Sequence, residues 1–134
     1  MKGSYLLVLE IEKERLIKIG SLGEIFFNTG YYVYVGSALN GLNQRIKRHL
    51  RKKKKIHWHI DYLLNYAKII DVFIKEEDNK EECYIAQVFM QNLPFVSGFG
   101  CSDCTCSSHL FYGYLDIIFK TVKMLDMKRF YANA

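Results

Sequence analysis

Residues 31–50 read YYVYVGSALNGLNQRIKRHL, and within them the spacing of apolar residues changes from that of a strand to that of a helix. The first six are aromatic, β-branched or glycine, a composition that favours a pleated strand. After a short polar turn, Leu42, Ile46 and Leu50 recur every four residues, which aligns them along one side of a helix. We therefore predict a strand that ends at Gly36 and a helix that begins shortly after it.

Further strands and helices are predicted on both sides of this stretch. Apolar and β-branched runs indicate strands at residues 5–11, 15–19, 24–28, 69–75 and 110–114. Helical spacing indicates three more helices, at residues 57–67, 79–92 and 118–129. The run 15–19 follows a charged turn and is expected to pair with 5–11 as a hairpin. Asn79 and Glu82 have the spacing of a capping box at the start of a helix.

Length and composition are typical of one packed globular domain, which we expect to span residues 1–134. Half of the residues are apolar, and the chain has a single proline. The net charge of +5 is concentrated in residues 45–55, where eight of eleven residues are Lys or Arg, so that the rest of the chain is net acidic. A basic run can be an ordinary solvated face, but one that continues a helix also suits a polyanion such as nucleic acid.

The sequence shows neither a secretion signal nor an apolar run near the roughly 20 residues that a membrane helix needs. We expect a cytoplasmic protein without a membrane partner. In that setting the four cysteines are expected to be reduced thiols or metal ligands rather than a disulfide framework.

Polar side chains are predicted to meet where the strand that ends at Gly36 turns into the following helix. Tyr34 is near the end of that strand, and Arg45 and His49 share one helix face because they are four residues apart. Arg binds phosphate well because its planar guanidinium can donate two parallel hydrogen bonds. The combination indicates a site for a phosphodiester.

Several motifs resemble known nucleases. Residues 34–38 (YVGSA) and 45–50 (RIKRHL) look like the second half of the GIY-YIG nuclease signature and its following helix, and Gly3-Ser4-Tyr5 is similar to the first half. The strings 57–64 (HWHIDYLL) and 98–104 (GFGCSDC) resemble a narrower, mostly archaeal group, DUF123 or Uri-type endonucleases. The resemblance implies an α/β fold of the α+β type, with a mainly antiparallel central sheet flanked by helices.

The resemblance also implies roles for individual residues. Tyr5 and Tyr34 would lie near the attacking water, and Arg45 would hold the scissile phosphate. His49 or His57 would assist proton transfer. The two tyrosines are about twice as far apart in sequence as the two halves of the usual signature, a difference that an inserted β-hairpin would explain.

A single divalent cation, Mg²⁺ or Mn²⁺, is implied by the same resemblance, bound by one glutamate on a later helix. Glu82 is the expected ligand, with Glu81 as the alternative. One carboxylate together with phosphate and water oxygens is a reasonable site for a hard cation. The capping-box spacing of Glu82 with Asn79 leaves a purely structural role open.

Contacts to the nucleic-acid backbone are expected from the glycine turn and the basic run. The residues concerned are Gly36, Ser37, Lys47, Arg48, Arg51, Lys52, Lys53, Lys54, Lys55 and His59. Such contacts carry no sequence information and would make binding strongly dependent on salt.

A cysteine-rich segment offers ligands for a second kind of metal. Cys101, Cys104, Cys106 and His109, with Cys83 as a further donor, could form a tetrahedral zinc site. The segment has one CxxC pair rather than two, and the spacing is not that of a standard zinc finger, so reduced thiols are the preferred interpretation.

The predicted function is therefore metal-dependent endonucleolytic cleavage of nucleic acid. DNA is preferred over RNA as the substrate, and the sequence leaves open whether RNA is also cut. A nucleic-acid-binding module that does not cut, or a zinc-stabilised interaction domain, would use the same residues differently. The sequence leaves the oligomeric state open.

Overall fold

The protein is described by a computed structural model that covers residues 1–101 and 106–131. The strands in these ranges are β1 (Gly3–Ile11), β2 (Arg15–Lys18), β3 (Glu24–Phe27), β4 (Gly30–Ala38), β5 (Lys68–Glu76), β6 (Leu110–Gly113) and β7 (Lys128–Arg129). The helices are α1 (Leu42–Leu50), α2 (His59–Leu64), α3 (Glu82–Met90) and α4 (Leu115–Met124), with a short 3₁₀ turn at Gly20–Leu22. None of the helices in the described ranges is both long enough and apolar enough to cross a membrane.

The main sheet has five strands in the order β6-β4-β1-β5-β7, and every neighbouring pair is antiparallel. Helices flank this sheet, and a two-stranded sheet lies beside it, so the predicted α+β class with a mainly antiparallel sheet is confirmed. β1 lies at the centre, with β4 on one side and β5 on the other.

Side chains of β1 alternate between two hydrophobic cores, because successive residues of a strand point to opposite faces. Leu7 and Leu9 pack in the core that contains residues of α1 and α2, and Leu6 and Val8 pack in the core that contains residues of α3 and α4. Tyr5 belongs to the first set and therefore lies on the α1 side of the sheet.

The predicted pairing of residues 15–19 with 5–11 is wrong. β2 pairs with β3, from Arg15 opposite Phe27 to Lys18 opposite Glu24. The physical reason is that β4 and β5 already occupy both hydrogen-bonding edges of β1. The inserted β-hairpin expected between the two tyrosines is therefore present, and it consists of β2 and β3.

The expected capping box of Asn79 and Glu82 is also wrong. α3 begins at Glu82, its N-cap is Glu81, and no described side chain caps it by a hydrogen bond. The carboxylate of Glu82 instead pairs with Lys80, whose Nζ lies 3.1 Å from Oε1. Glu82 is thus not needed to start the helix in the way that its spacing suggested.

One predicted helix ends earlier than expected, and another begins later than expected. α4 ends at Met124, and Arg129 belongs to β7 rather than to the helix, because Asp126 adopts a positive φ of 56° that turns the chain back toward β5. α2 begins at His59 because the Asp61 carboxylate accepts hydrogen bonds from the backbone N–H groups of His57 and Trp58, at 2.8 and 2.9 Å.

Candidate functional site

A polar pocket of about 310 Å³ opens where β4 leads into α1. The residues that line it come from β1, β4, α1, the start of α3 and the segments that connect such elements: Tyr5, Tyr34, Gly36, Ser37, Leu39, Asn40, Arg45, Trp58, Lys80, Glu82 and Gly100. The structure thus brings together the predicted Tyr5, Tyr34, Arg45 and Glu82, although they are far apart in the sequence.

Gly36 makes room for the ring of Tyr5 on the neighbouring strand. The two residues are directly opposite in the β1–β4 register. A Cβ atom on Gly36 would lie 2.4 Å from Cζ and 2.5 Å from Oη of Tyr5, which is far inside van der Waals contact. The glycine is required here by this close approach, and the Tyr5 side chain is thereby placed at the pocket wall.

The Tyr5 hydroxyl is positioned by a hydrogen bond with His49 of α1. The hydroxyl oxygen lies 2.7 Å from His49 Nε2, and the hydrogen bond is buried. The imidazole is 2% exposed, and its Nδ1 has no hydrogen-bond partner among the described residues. Burial, helped by nearby arginines, lowers the pKa of His49 to about 3 although the Asp61 carboxylate opposes the shift, so that the ring is neutral near pH 7.

The two tyrosines form an aromatic wall with ring centroids 6.4 Å apart. Burial raises the pKa of both Tyr5 and Tyr34, although the Arg45 charge opposes this rise. Both therefore remain neutral phenols near pH 7. They can donate or accept hydrogen bonds in the pocket, but neither is a base in its resting state.

Arg45 is oriented by two contacts. Its Nη1 donates a hydrogen bond to the Ser37 carbonyl oxygen at 3.0 Å, and its guanidinium lies over the Trp58 ring, 4.5 Å from the centroid. The first contact fixes the helix to the end of β4, and the second is a cation–π interaction. These contacts use part of the guanidinium and leave further N–H donors for a ligand.

Glu82 adds a carboxylate to the pocket lining, and its side chain is 15% exposed. Among the described lining residues it is the one acidic side chain, and Lys80 beside it adds a second positive charge to that of Arg45. Glu81 does not line the pocket and lies 3.9 Å from Lys75 Nζ. A hard cation that takes one carboxylate and completes its shell with water and phosphate oxygens fits this donor set and volume.

Arg48 has a different environment from Arg45. It forms two hydrogen bonds to Asp61, at 2.9 and 3.0 Å, and a third to the Lys55 carbonyl oxygen at 2.8 Å. The Asp61 side chain is completely buried. Burial alone would raise the pKa of Asp61, but the hydrogen bonds from Arg48 and the backbone outweigh it and lower that pKa. The structure therefore places this predicted phosphate-binding arginine in an internal ion pair.

The other members of the basic run lie outside the pocket. Lys54 donates to the carbonyl oxygens of His49 and Arg51, at 2.9 and 2.6 Å, and so caps the end of α1. Four lysines and one arginine of the run are exposed: Lys47, Lys52, Lys53, Lys55 and Arg51. They form a basic surface that adjoins the helix carrying Arg45.

The two histidines beside Trp58 are not part of the pocket lining. His57 is exposed, and its ring contacts Trp58 at a centroid distance of 4.5 Å. His59 is half-buried, and its Nδ1 accepts a hydrogen bond from the Gly100 backbone N–H at 2.9 Å. His59 thereby holds the glycine-rich loop that closes one side of the pocket.

Sequence reasoning missed several residues of the site. Lys80 and Asn40 line the pocket, and the Trp58 ring contacts two guanidinium groups, since those of Arg45 and Arg48 each lie 4.5 Å from its centroid. Asp61 could have been found from its position three residues after Trp58, which is the acidic half of a capping box. No local signal indicates Lys80, because only the fold brings it to the pocket.

Three of the five possible zinc ligands lie together next to the pocket. Ligand atoms of Cys83, Cys106 and His109, here named the Cys/His cluster, all lie within 4.8 Å of one another and could hold a metal ion. Cys101 is not a member of this group, and its Sγ lies 3.5 Å from the Phe99 carbonyl oxygen. Cys104 lies outside the described residues.

A family model described as Domain of unknown function DUF123 matches residues 4–127. The matched range includes every residue that lines the pocket and all three members of the Cys/His cluster. Neither the curated proteins nor the solved structures gave a match.

Proposed function

The chain belongs to the DUF123 family, and we propose that it is a metal-dependent endonuclease of the GIY-YIG and Uri type. Its substrate is a nucleic-acid backbone, DNA rather than RNA, and the reaction is hydrolysis of a phosphodiester bond. The observation that carries the proposal is that Tyr5, Tyr34, Arg45 and Glu82 line one pocket.

Arg45 would bind the scissile phosphate. Its guanidinium is already oriented by Ser37 and Trp58, so that little side-chain freedom is lost on binding. Charge that develops on the phosphoryl oxygens is best stabilised by donors that are in place before the reaction. Lys80, which also lines the pocket, supplies a further positive charge.

Tyr5 and Tyr34 would orient the attacking water through their neutral hydroxyl groups. Because burial keeps their pKa values above the ordinary value, they serve by hydrogen bonding rather than by carrying a negative charge. His49 would act as a positioning residue, since its Nε2 contacts the Tyr5 hydroxyl and its ring does not line the pocket.

Glu82 would hold the divalent cation, Mg²⁺ or Mn²⁺. When bound, such a cation supplies Lewis acidity and charge neutralisation at the phosphate. The carboxylate is partly shielded from solvent and faces the same pocket as Arg45, which is the arrangement that one cation and one phosphate require.

The test is cleavage of labelled single-stranded, duplex and forked DNA, with matched RNA strands, in the presence of Mg²⁺ or Mn²⁺. Arg45→Ala and Glu82→Gln are expected to lower the cleavage rate by at least a hundredfold, as loss of one electrostatic contact to a transition state often does. Glu81→Gln is the matched control, because that carboxylate lies outside the pocket, and it should cut at the native rate. A native chain that cuts none of these substrates with either cation would refute the proposal.

One observation favours a second function, binding without cleavage. In the structure Oε1 of the Glu82 carboxylate is paired with Lys80 Nζ at 3.1 Å, and a cation that binds this oxygen would have to displace the lysine. If the native chain binds DNA but cuts nothing, and Glu82→Gln binds as tightly as the native chain, the pocket is a phosphate-binding site alone.

A further inference from the structure

The Cys/His cluster joins two separate parts of the chain, the start of α3 and the segment that precedes β6. Cys83 is the second residue of α3, Cys106 lies in the segment before β6, and His109 immediately precedes β6. The His109 side chain is buried, and both cysteines are partly buried. Nothing in the chemistry assigned to the neighbouring pocket uses these three side chains.

The distances within the cluster approach those of a zinc site. Cys83 Sγ and His109 Nε2 are 4.0 Å apart. In a tetrahedral site with Zn–S of about 2.3 Å and Zn–N of about 2.0–2.1 Å, the sulfur and nitrogen lie about 3.6 Å apart. An ion between these two atoms therefore needs them to approach by about 0.4 Å, and the other ligand atoms, which lie within 4.8 Å, need to approach by about 1 Å or less.

The hydrogen bond of His109 fixes which of its nitrogens can bind a metal. Nδ1 lies 3.2 Å from the Val35 carbonyl oxygen. A carbonyl oxygen can only accept, so Nδ1 carries the proton and donates, and Nε2 of the neutral ring presents its lone pair toward Cys83. Metal-binding histidines almost always have such a partner on the other ring nitrogen.

We propose that Cys83, Cys106 and His109 bind one zinc ion, and that this ion fixes the start of α3 to the segment before β6, which His109 joins to β4 through Val35. Two thiolates and an imidazole select a soft or borderline cation and disfavour Mg²⁺ or Ca²⁺, which take oxygen ligands. The described residues supply three ligands, and the fourth position belongs to water or another donor.

A metal ion in the Cys/His cluster would also affect the geometry of the neighbouring pocket. Glu82 directly precedes Cys83 in the chain, and Val35 lies between Tyr34 and Gly36 on β4. A metal held by Cys83 and His109 thus sets the position of the Glu82 backbone relative to the strand that carries Tyr34. The proposal concerns a different ion from the one assigned to Glu82, and it stands or falls independently of nuclease activity.

The first experiment measures metal in the full chain purified under reducing conditions, by elemental analysis before and after treatment with a chelator. One equivalent of zinc is expected, and it should return on addition of zinc to the stripped protein. Replacement with Co²⁺ should give the absorption of a tetrahedral, thiolate-bound cobalt ion. Removal of the metal should lower the melting temperature, because an ion that binds only the folded state stabilises that state.

Variants then locate the site. Cys83→Ser and His109→Asn should reduce bound zinc to less than a tenth of an equivalent, whereas Cys101→Ser, a matched cysteine outside the cluster, should retain it. Far-UV circular dichroism shows whether each variant folds. If one does not, the cobalt spectrum of the native chain decides, because it reports thiolate ligation without any substitution.

Three results would overturn the proposal. The stripped native chain could fail to bind an equivalent of zinc, its cobalt derivative could lack thiolate absorption, or Cys101→Ser could lose the metal while Cys83→Ser keeps it. An unchanged melting temperature after metal removal would refute the stabilising role. None of these measurements depends on whether DNA is cut.

Discussion

At the residue scale, the contact between Tyr5 and Gly36 determines where the Tyr5 hydroxyl lies in the pocket. The ring occupies the volume that a Cβ atom at position 36 would need. His49 then holds the hydroxyl from the helix side. The position of the Tyr5 phenol is thus set by the absence of a side chain at Gly36 on β4 and by the neutral imidazole of His49 on α1.

Substituting Gly36→Ala should displace the Tyr5 ring and destabilise the fold by about 1–3 kcal/mol, the usual cost of an added group in a tight core. Urea denaturation measures the effect. In a Tyr5→Leu background the same substitution should cost clearly less, because the ring it collides with is gone and contacting residues are not additive. Equal costs in both backgrounds would show that the methyl group collides with something other than this ring.

His49 should make the stability of the protein fall in acid. Its pKa is about 3 in the folded state, through burial, and about 6.5 when unfolded. The unfolded chain therefore binds the proton first, so this stabilising contribution is complete above pH 6.5 and is lost as pH falls toward 3.

The measurement is urea denaturation of the native chain and His49→Gln at several pH values. Between pH 6.5 and 4.5 the native chain should lose about 2–3 kcal/mol more than the variant, since each pKa unit corresponds to about 1.4 kcal/mol. Parallel pH profiles would show that His49 is not the group that titrates. The carboxylates, including Asp61, are common to both proteins and cancel in the comparison.

At the element scale, α1 and α2 are joined by a buried ion pair that also holds Trp58. Arg48 binds Asp61 through two hydrogen bonds, and the Trp58 ring lies against both Arg45 and Arg48. Because Asp61 also accepts the backbone N–H groups at the start of α2, one carboxylate starts a helix and positions the neighbouring helix.

Replacing Asp61→Asn should therefore destabilise the protein by about 3–5 kcal/mol, the usual cost of removing one member of a buried ion pair. Asp71→Asn is the matched control. Its partner Arg129 is 48% exposed, and pairs of that kind contribute about 1 kcal/mol or less. Chemical denaturation of both variants tests the difference, and similar losses would mean that burial does not strengthen the α1–α2 contact.

Some of these elements could be predicted from sequence and others could not. β4 and α1 were predictable because their apolar spacing is local and changes within residues 31–50. The strand with which β2 pairs could not be predicted, since strand pairing depends on which edges of β1 remain available. The role of Arg48 could not be predicted either. Whether its guanidinium faces solvent depends on Asp61, a buried acid thirteen residues further along the chain.

At the scale of the whole molecule, positive charge lies on the side of the sheet that carries the pocket. The exposed lysines after α1 continue from the helix that bears Arg45, whereas α4 packs on the opposite face. A nucleic acid that enters the pocket would run along this basic surface. The basic run could be predicted from the sequence. The pocket beside it could not, because it also depends on Glu82 and Lys80, which are brought close to Arg45 only when the chain is folded.

Salt dependence tests this arrangement. Lys52→Gln together with Lys53→Gln should weaken DNA binding to a similar degree for every sequence and should reduce the slope of log K against log salt by about 1.8, which corresponds to two phosphate contacts. The pair Lys120→Gln and Lys123→Gln on α4 is the control and should leave the slope unchanged. If both double variants behave alike, the DNA does not follow the basic surface next to α1.

The central position of β1 has a consequence for synthesis of the chain. This strand emerges from the ribosome before both of its neighbours, and its second edge is paired only by β5, which ends at Glu76. Until then a nine-residue segment, in which six residues are apolar, presents unsatisfied backbone groups and apolar side chains to solvent. Exposed strand edges of this kind associate with one another, so the nascent chain is most prone to aggregation before residue 76 has been synthesised.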